Sequence, residues 1–179
     1  MRGLIISADG FEDTELLVPL YRLREEGIAV DVASTRAEHI TGKHGYSQPV
    51  DRQLTEIDPH DYDVLVLPGG RAPAALRSNA ALQGIVRAFD VAGTPIAAIC
   101  HGPQILVSAG VMEGRTATCY RTVAIELKQA GAHYVDQEVV VDGNLVTSRE
   151  PTDIPAFCRE IMKQLKTKES RAQIVSGEK

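Results

Sequence analysis

Short runs of consecutive apolar residues alternate along this chain with longer stretches in which apolar positions recur every three or four residues. Residues 3–7, 28–33 and 63–67 read as buried strands, and residues 96–99 form a fourth apolar run. Between them, residues 13–26 read as a helix with acidic residues in its first turn and Gly27 as its stop, and residues 79–92 as a second. Residues 103–109 continue a helical pattern directly behind the fourth strand. A weaker strand at 116–118, a helix at 123–130 closed by Gly131, and a hairpin at 139–147 turning on Asp142-Gly143-Asn144 follow. Residues 41–51, rich in Gly and polar side chains, predict a loop or short hairpin, and residues 151–166 a closing helix. Strands alternating with helices at this spacing imply an α/β fold with a mostly parallel sheet covered on both faces, whose ligand site lies at the carboxyl ends of the strands. Three loops are expected to meet on that rim: residues 9–12, 68–71 and 100–101.

Length and charge narrow the picture further. A chain of 179 residues suits one domain, expected here over residues 1–166, with a polar C-terminal tail at 167–179. Hydrophobic content of 44% and charged content of 24% are those of an ordinary globular protein. A net charge of −5 without a basic, aromatic-interleaved patch argues against nucleic acid as a partner. No apolar stretch approaches bilayer-spanning length and no signal-like N-terminus is evident, so a cytoplasmic protein is expected. Cysteines at 100, 119 and 158 are odd in number and form neither a disulfide framework nor CxxC spacing, so no metal or cofactor is expected.

The most informative segment is Ala98-Ile99-Cys100-His101-Gly102-Pro103-Gln104. An apolar strand ends abruptly in a cysteine and a helix begins behind it, which is the layout of a nucleophile elbow. A thiol there meets the unpaired N–H groups of a helix start, which favour thiolate. The alternative is a small buried core cysteine. Cys119 and Cys158 follow no strand into a tight turn and read as packing residues, while His39, His60 and His133 read as solvated.

Five ordered segments, Gly10-Phe11-Glu12-Asp13-Thr14-Glu15, Thr41-Gly42-Lys43-His44-Gly45, Leu67-Pro68-Gly69-Gly70-Arg71-Ala72-Pro73, the elbow itself and Val139-Val140-Val141-Asp142-Gly143-Asn144, closely resemble the ThiJ/PfpI family, in particular its intracellular-protease-like branch. The resemblance runs to about Lys166. It implies a flavodoxin-like three-layer sandwich and a homodimer or higher homo-oligomer. Carried over by position, Cys100 is the nucleophile, His101 a candidate base and Glu12 the carboxyl that approaches the thiol. Glu12 would serve if protonated, donating a hydrogen bond to sulfur, since a second negative charge would suppress the thiolate. On the residues alone Glu12 is equally an acidic helix start, and His101 equally a residue that fixes the turn. Gly69 and Gly70 resemble the family's oxyanion loop, and Tyr120 stands where the branch has a tyrosine near the site, as substrate contact or interface aromatic. His44 is a candidate interface residue. The branch has a glutamate after Gly-Gly-Arg-Ala-Pro that completes a triad across subunits, and here that position is Ala74.

The resemblance therefore implies a cysteine-dependent stress-response enzyme acting on small reactive carbonyls or glycated proteins, of glutathione-independent glyoxalase or deglycase type. An intracellular cysteine peptidase or amidase, and a non-enzymatic oxidant sensor using Cys100, are the alternatives. An amidotransferase would need a downstream histidine, and Arg149-Glu150-Pro151 has none.

Overall fold

The computed structural model describes residues 1–177, the side chains of residue 169 and residues 171–177 excepted. In chain order the elements are β1 (Arg2–Ile6), α1 (Asp13–Glu25), β2 (Ala29–Ser34), β3 (His39–Thr41), β4 (Ser47–Pro49), β5 (Arg52–Gln53), β6 (Val64–Leu67), α2 (Ala72–Leu76), α3 (Ala80–Val91), β7 (Ile96–Ile99), α4 (Pro103–Ala109), β8 (Thr116–Ala117), α5 (Ala124–Gln129), β9 (His133–Tyr134), β10 (Val139–Asp142), β11 (Leu145–Ser148) and α6 (Ile154–Gly177). Three single-turn 3-10 helices at Leu54–Glu56, Pro59–Asp61 and Pro151–Asp153 fill the connections.

Seven strands form the central sheet in the order β10-β11-β7-β6-β1-β2-β5, parallel throughout except for the β10–β11 hairpin at one edge. Every residue of β6 and β7 is buried, as the unbroken apolar runs require of strands covered on both faces. Helices α1 and α6 pack together on one side, and α2, α3 and α4 on the other. This is the flavodoxin-like three-layer α/β sandwich expected from the sequence. The chain passes from β1 outward to β2 and then returns across the sheet to β6, so the order reverses between β1 and β6. A crevice opens at the carboxyl ends of strands where their connections diverge in this way.

Several predicted boundaries hold within a residue or two. Asn79 caps α3 by accepting the Leu82 N–H at 3.0 Å. The 41–51 segment is half of a hairpin whose strands are β3 and β4. The 142–144 turn is tighter than expected, because Asp142 still pairs with Leu145 and only Gly143 and Asn144 form the bend. Strand β9, which pairs in parallel with β8, was not legible as a strand, since two residues carry no periodicity. The largest difference is at the C-terminus: α6 continues to Gly177 instead of stopping at Lys166, and only residues 178–179 of the expected tail lie outside the described residues. Residues 167–176 contain neither Gly nor Pro and favour continuation, so the first helix breaker after Lys166 is Gly177 itself.

Candidate active site

The loop after β1 is stitched to both neighbours through its backbone. Gly10 N–H donates to Thr41 O and Lys43 N–H to Phe11 O, both at 2.7 Å, while Arg71 N–H donates to Gly10 O at 2.7 Å and Glu12 N–H to Gly69 O at 3.3 Å. The buried Asp13 carboxylate adds to this by accepting the N–H groups of His44 at 2.9 Å and Tyr46 at 3.1 Å, tying the hairpin loop to the start of α1. These loops, with the hairpin loop at 42–46, meet the elbow at 100–101 around a cavity of about 440 Å³ whose lining includes Glu12, Glu15, Gly70, Cys100, His101 and Tyr120.

At its floor stands the elbow. Cys100 has φ +61°, a left-handed conformation that ordinary residues avoid, and that strain costs about 1–3 kcal/mol. The surroundings impose it: Cys100 N–H donates to Ser148 O at 3.0 Å, and Cys100 O accepts from Tyr120 N–H at 2.9 Å. Gly102 is required by close approach, because a Cβ there would lie 2.3 Å from the Leu67 carbonyl oxygen. Strand, sharp turn and helix therefore present the thiol as the spacing implied.

The carboxyl beside the thiol is Glu15, which corrects the assignment of that place to Glu12. Glu15 is fully buried, and its Oε2 accepts the Gly69 N–H at 2.8 Å. A Cβ on Gly69 would sit 2.6 Å from Glu15 Oε2 and 2.7 Å from Cys100 Cβ, so the absence of a side chain there lets the two groups meet. Oε1 is buried without a hydrogen-bond partner, and the carboxyl and the thiol act on each other's ionisation. Glu12 also lines the cavity, but its oxygens face Lys43 Nζ and His44 Nε2, each at 3.3 Å. It occupies the N-cap position of α1 without capping the helix through its side chain. His44, a candidate interface residue, is in part a partner of Glu12. The two glutamates are one helical turn apart, and only the packing of α1 turns Glu15 toward the sheet. A clue was present in the sequence: Glu15 adjoins Leu16 and precedes Pro19 by one turn, on the face that α1 buries.

Burial pushes the Glu15 carboxyl up to about 7, against the hydrogen bond from Gly69 that favours its charged form. The Cys100 thiol is also pushed up, by burial first and then by the Glu15 carboxylate, while the N–H groups of Gly70 and His101 directed at the sulfur work the other way. The expectation of a thiolate favoured simply by a helix start is corrected accordingly. Two neighbouring anions in a buried site are mutually unfavourable, so charge on Glu15 and charge on Cys100 oppose each other, and the proton balance belongs to the pair. Gly69 departs from its oxyanion assignment, since its N–H is spent on Glu15. Gly70 and His101 supply the free N–H pair.

His101 does reach the sulfur: Nδ1 lies 3.2 Å from Sγ. Its ring lies 5.0 Å from that of Tyr120, which places both at the cavity wall. Burial holds His101 below its usual value, opposed by the charge of Glu126. Glu126 is engaged elsewhere, accepting from Gln104 Nε2 at 2.7 Å and pairing with Arg77 Nη1 at 2.6 Å, so it acts on His101 as a nearby charge and not as a bonded partner. Burial works against its ionisation, but Gln104 and Arg77 hold it below the usual carboxylate range. Ala74 lies exposed on α2, away from this cavity's lining.

Lys43, Arg71 and Glu150 also line the cavity, and sequence reasoning assigned none of them a role there. Cys119 and Cys158 are buried packing residues, whose thiols burial pushes up to about 12 and about 11. His39, His60 and His133 are exposed. Among the described residues no group of His, Cys, Asp and Glu could hold a metal ion, and no helix is long and apolar enough to cross a membrane.

The chain is 53% identical over 166 residues to a Thermococcus kodakarensis protein named Deglycase TK1284, covering 93% of this chain and all of that one. It is 51% identical over 166 residues to Deglycase PfpI of Pyrococcus furiosus, with the same coverage. Among solved structures it superposes with TM-score 0.90 and 36% identity on a two-domain Anabaena variabilis protein containing DJ-1/ThiJ/PfpI-like and ferritin-like domains, covering 92% of this chain and 48% of that one. The DJ-1/PfpI family model matches residues 1–164, which span the sheet, the elbow and the Glu15 helix, and the chain therefore belongs to the DJ-1/PfpI family.

Proposed function

We propose that this protein is a cysteine-dependent enzyme acting on reactive carbonyl adducts, of deglycase or glutathione-independent glyoxalase type, with Cys100 as its nucleophile. The observation that carries the reading is the Glu15–Cys100 pair under the N–H groups of Gly70 and His101. A proton donor, a thiol and two oxyanion donors are what carbonyl addition needs. With methylglyoxal, the Glu15 carboxylate takes the thiol proton as sulfur adds to the aldehyde carbon and returns it to the oxyanion, and a hemithioacetal results. Transfer of the C1 proton to the neighbouring ketone carbon, through an enediol, converts it to a lactoyl thioester without external oxidant or reductant. Glu15 and His101 are the groups within reach to carry that proton. Water then cleaves the thioester to lactate and regenerates the thiol. With an adduct already formed on an amine, sulfur displaces the amine from the carbinol carbon and the same sequence follows.

The relatives named deglycases support this reading. A homo-oligomer in the cytoplasm belongs to it as well, and Val18, Tyr21 and Tyr46 expose apolar surface that association would cover. The test is purified protein with methylglyoxal, followed for lactate beside a Cys100→Ser control. Lactate release that requires Cys100 is expected, and its absence with reduced Cys100 overturns the reading.

The 3.2 Å contact between Cys100 Sγ and His101 Nδ1 favours a second reading, a cysteine peptidase or amidase. Against it, Ala74 brings no carboxylate to orient His101. Cleavage of labelled casein by the same samples separates the two.

A further inference from the structure

Glu150 follows β11, on the other side of β7 from the Gly69–Arg71 loop that follows β6. It is extended and half-buried, and lines the cavity together with Cys100, His101 and Tyr120. It also lines a smaller adjoining cavity of about 170 Å³ with Tyr120 and Arg121, so it stands on the wall the two share. Its only side-chain partner among the described residues is Thr152, whose hydroxyl donates to Oε1 at 3.3 Å. No cation among the described residues pairs with it. The adjacent Arg149 is taken by Asp136 at 2.8 Å and Asp153 at 2.9 Å, and Lys43 by Glu12. On the other side of β7 Arg71 has no ion-pair partner among the described residues. The cavity thus carries a guanidinium without an ion pair beside Gly70 and, beyond Tyr120, a carboxylate without an ion pair among the described residues, Arg121 sharing only the smaller cavity with it.

We infer that Glu150 is a specificity-determining residue that receives the cationic end of the substrate, the lysine ammonium or arginine guanidinium group of a carbonyl-modified protein side chain. The inference rests on the deglycase reading and deepens it. The three-carbon carbonyl fragment sits at Cys100 between Gly70 and His101, and the amine to which it is attached extends past Tyr120 toward Glu150. As the carbon–nitrogen bond breaks, the departing amine takes up a proton and becomes the cation that Glu150 stabilises. An adduct on a cysteine side chain leaves as a neutral thiol and gains nothing from this carboxylate, so the site discriminates among modified side chains by charge.

The experiment uses the full chain with N-acetylarginine amide and its neutral isostere N-acetylcitrulline amide, each measured as protection of Cys100 from iodoacetamide against the same variant's ligand-free rate. A hydrogen-bonded contact to a charged group predicts roughly tenfold tighter protection by the arginine compound. In Glu150→Gln that preference disappears, and in Glu150→Lys it reverses. Equal protection by both compounds in the unaltered protein, or a preference that survives both substitutions, overturns the inference. Lactate release from methylglyoxal, measured in parallel, keeps the two conclusions apart. Turnover without charge preference removes the role of Glu150 and leaves the deglycase reading, whereas charge-selective protection without turnover does the opposite.

Discussion

The Glu15 carboxyl is held beside the Cys100 thiol by a single backbone donor, the Gly69 N–H at 2.8 Å from Oε2, in a place from which water is excluded. The acid comes from α1 and the thiol from the elbow after β7. Their meeting sets charge on one against charge on the other.

Glu15→Gln removes the acid while keeping the shape and the bond from Gly69. Carbonyl turnover is expected to fall about 10²-fold or more, as is typical for a positioned acid or base. Alkylation of Cys100 should set in at lower pH in the variant than in the unaltered protein, because the carboxylate that raises the thiol is gone. Glu12→Gln, which disturbs only the contacts to Lys43 and His44, should cost under tenfold and leave the profile in place. Lactate release and iodoacetamide kinetics across pH 5–10 with peptide mapping measure the two effects, and a larger loss in Glu12→Gln than in Glu15→Gln would return the acid role to Glu12.

The same carboxyl makes stability depend on pH. Below its ordinary value of 4.5 Glu15 is protonated whether the chain is folded or not, and no difference arises. Between 4.5 and about 7 the unfolded chain ionises first, so the folded chain binds more protons and loses stability as pH rises. A shift of this size corresponds to about 3 kcal/mol, fully lost above pH 7. Denaturant unfolding from pH 4 to 8 should show this decline, and Glu15→Gln should flatten it.

Backbone strain at the elbow can be read from two substitutions of one residue. At φ +61° a Cβ is penalised, so Cys100→Gly should be more stable than Cys100→Ala by about 1 kcal/mol although both lose activity. Chemical denaturation of the pair decides it, and an Ala variant of equal or greater stability would argue against strain at this position.

Gly102 has no such freedom to change. A methyl 2.3 Å from the Leu67 carbonyl oxygen forces β6 and the elbow apart, and Gly102→Ala should lower stability by about 1–3 kcal/mol. Turnover should fall with it, since the His101 N–H moves away from the sulfur. A melting temperature and lactate rate indistinguishable from the unaltered protein would show that the turn is looser than its geometry implies.

Ala74 separates the two enzyme readings. Loss of the group that orients a catalytic histidine has cost about 10⁴-fold in a serine protease triad, so casein hydrolysis should be very weak while methylglyoxal turnover persists. Ala74→Glu is expected to raise peptide cleavage if subunits associate as in the resembling branch. Efficient cleavage by the unaltered protein would instead favour the peptidase.

Local pattern was enough for much of this protein. Unbroken apolar runs at 64–67 and 96–99 declare strands covered on both faces, and an abrupt stop at Cys100 followed by His-Gly-Pro declares the turn, because these features depend on neighbours within a few residues. What lies one turn apart on a helix is a different matter. Glu12 and Glu15 both stand at the start of α1, and their sequence neighbourhood cannot say which oxygen will face a thiol 85 or more residues away. That was settled by how α1 packs against the sheet and by the Gly69 N–H, which together bury one carboxyl and leave the other to Lys43 and His44. The same holds for charge. A helix start behind a cysteine suggests thiolate, but desolvation and a neighbouring carboxylate outweigh two N–H groups once the site is closed, so the protonation state belongs to the folded pair. Lys43, Arg71 and Glu150 became cavity residues for the same reason, since loops distant in sequence converge only where the strand order reverses between β1 and β6.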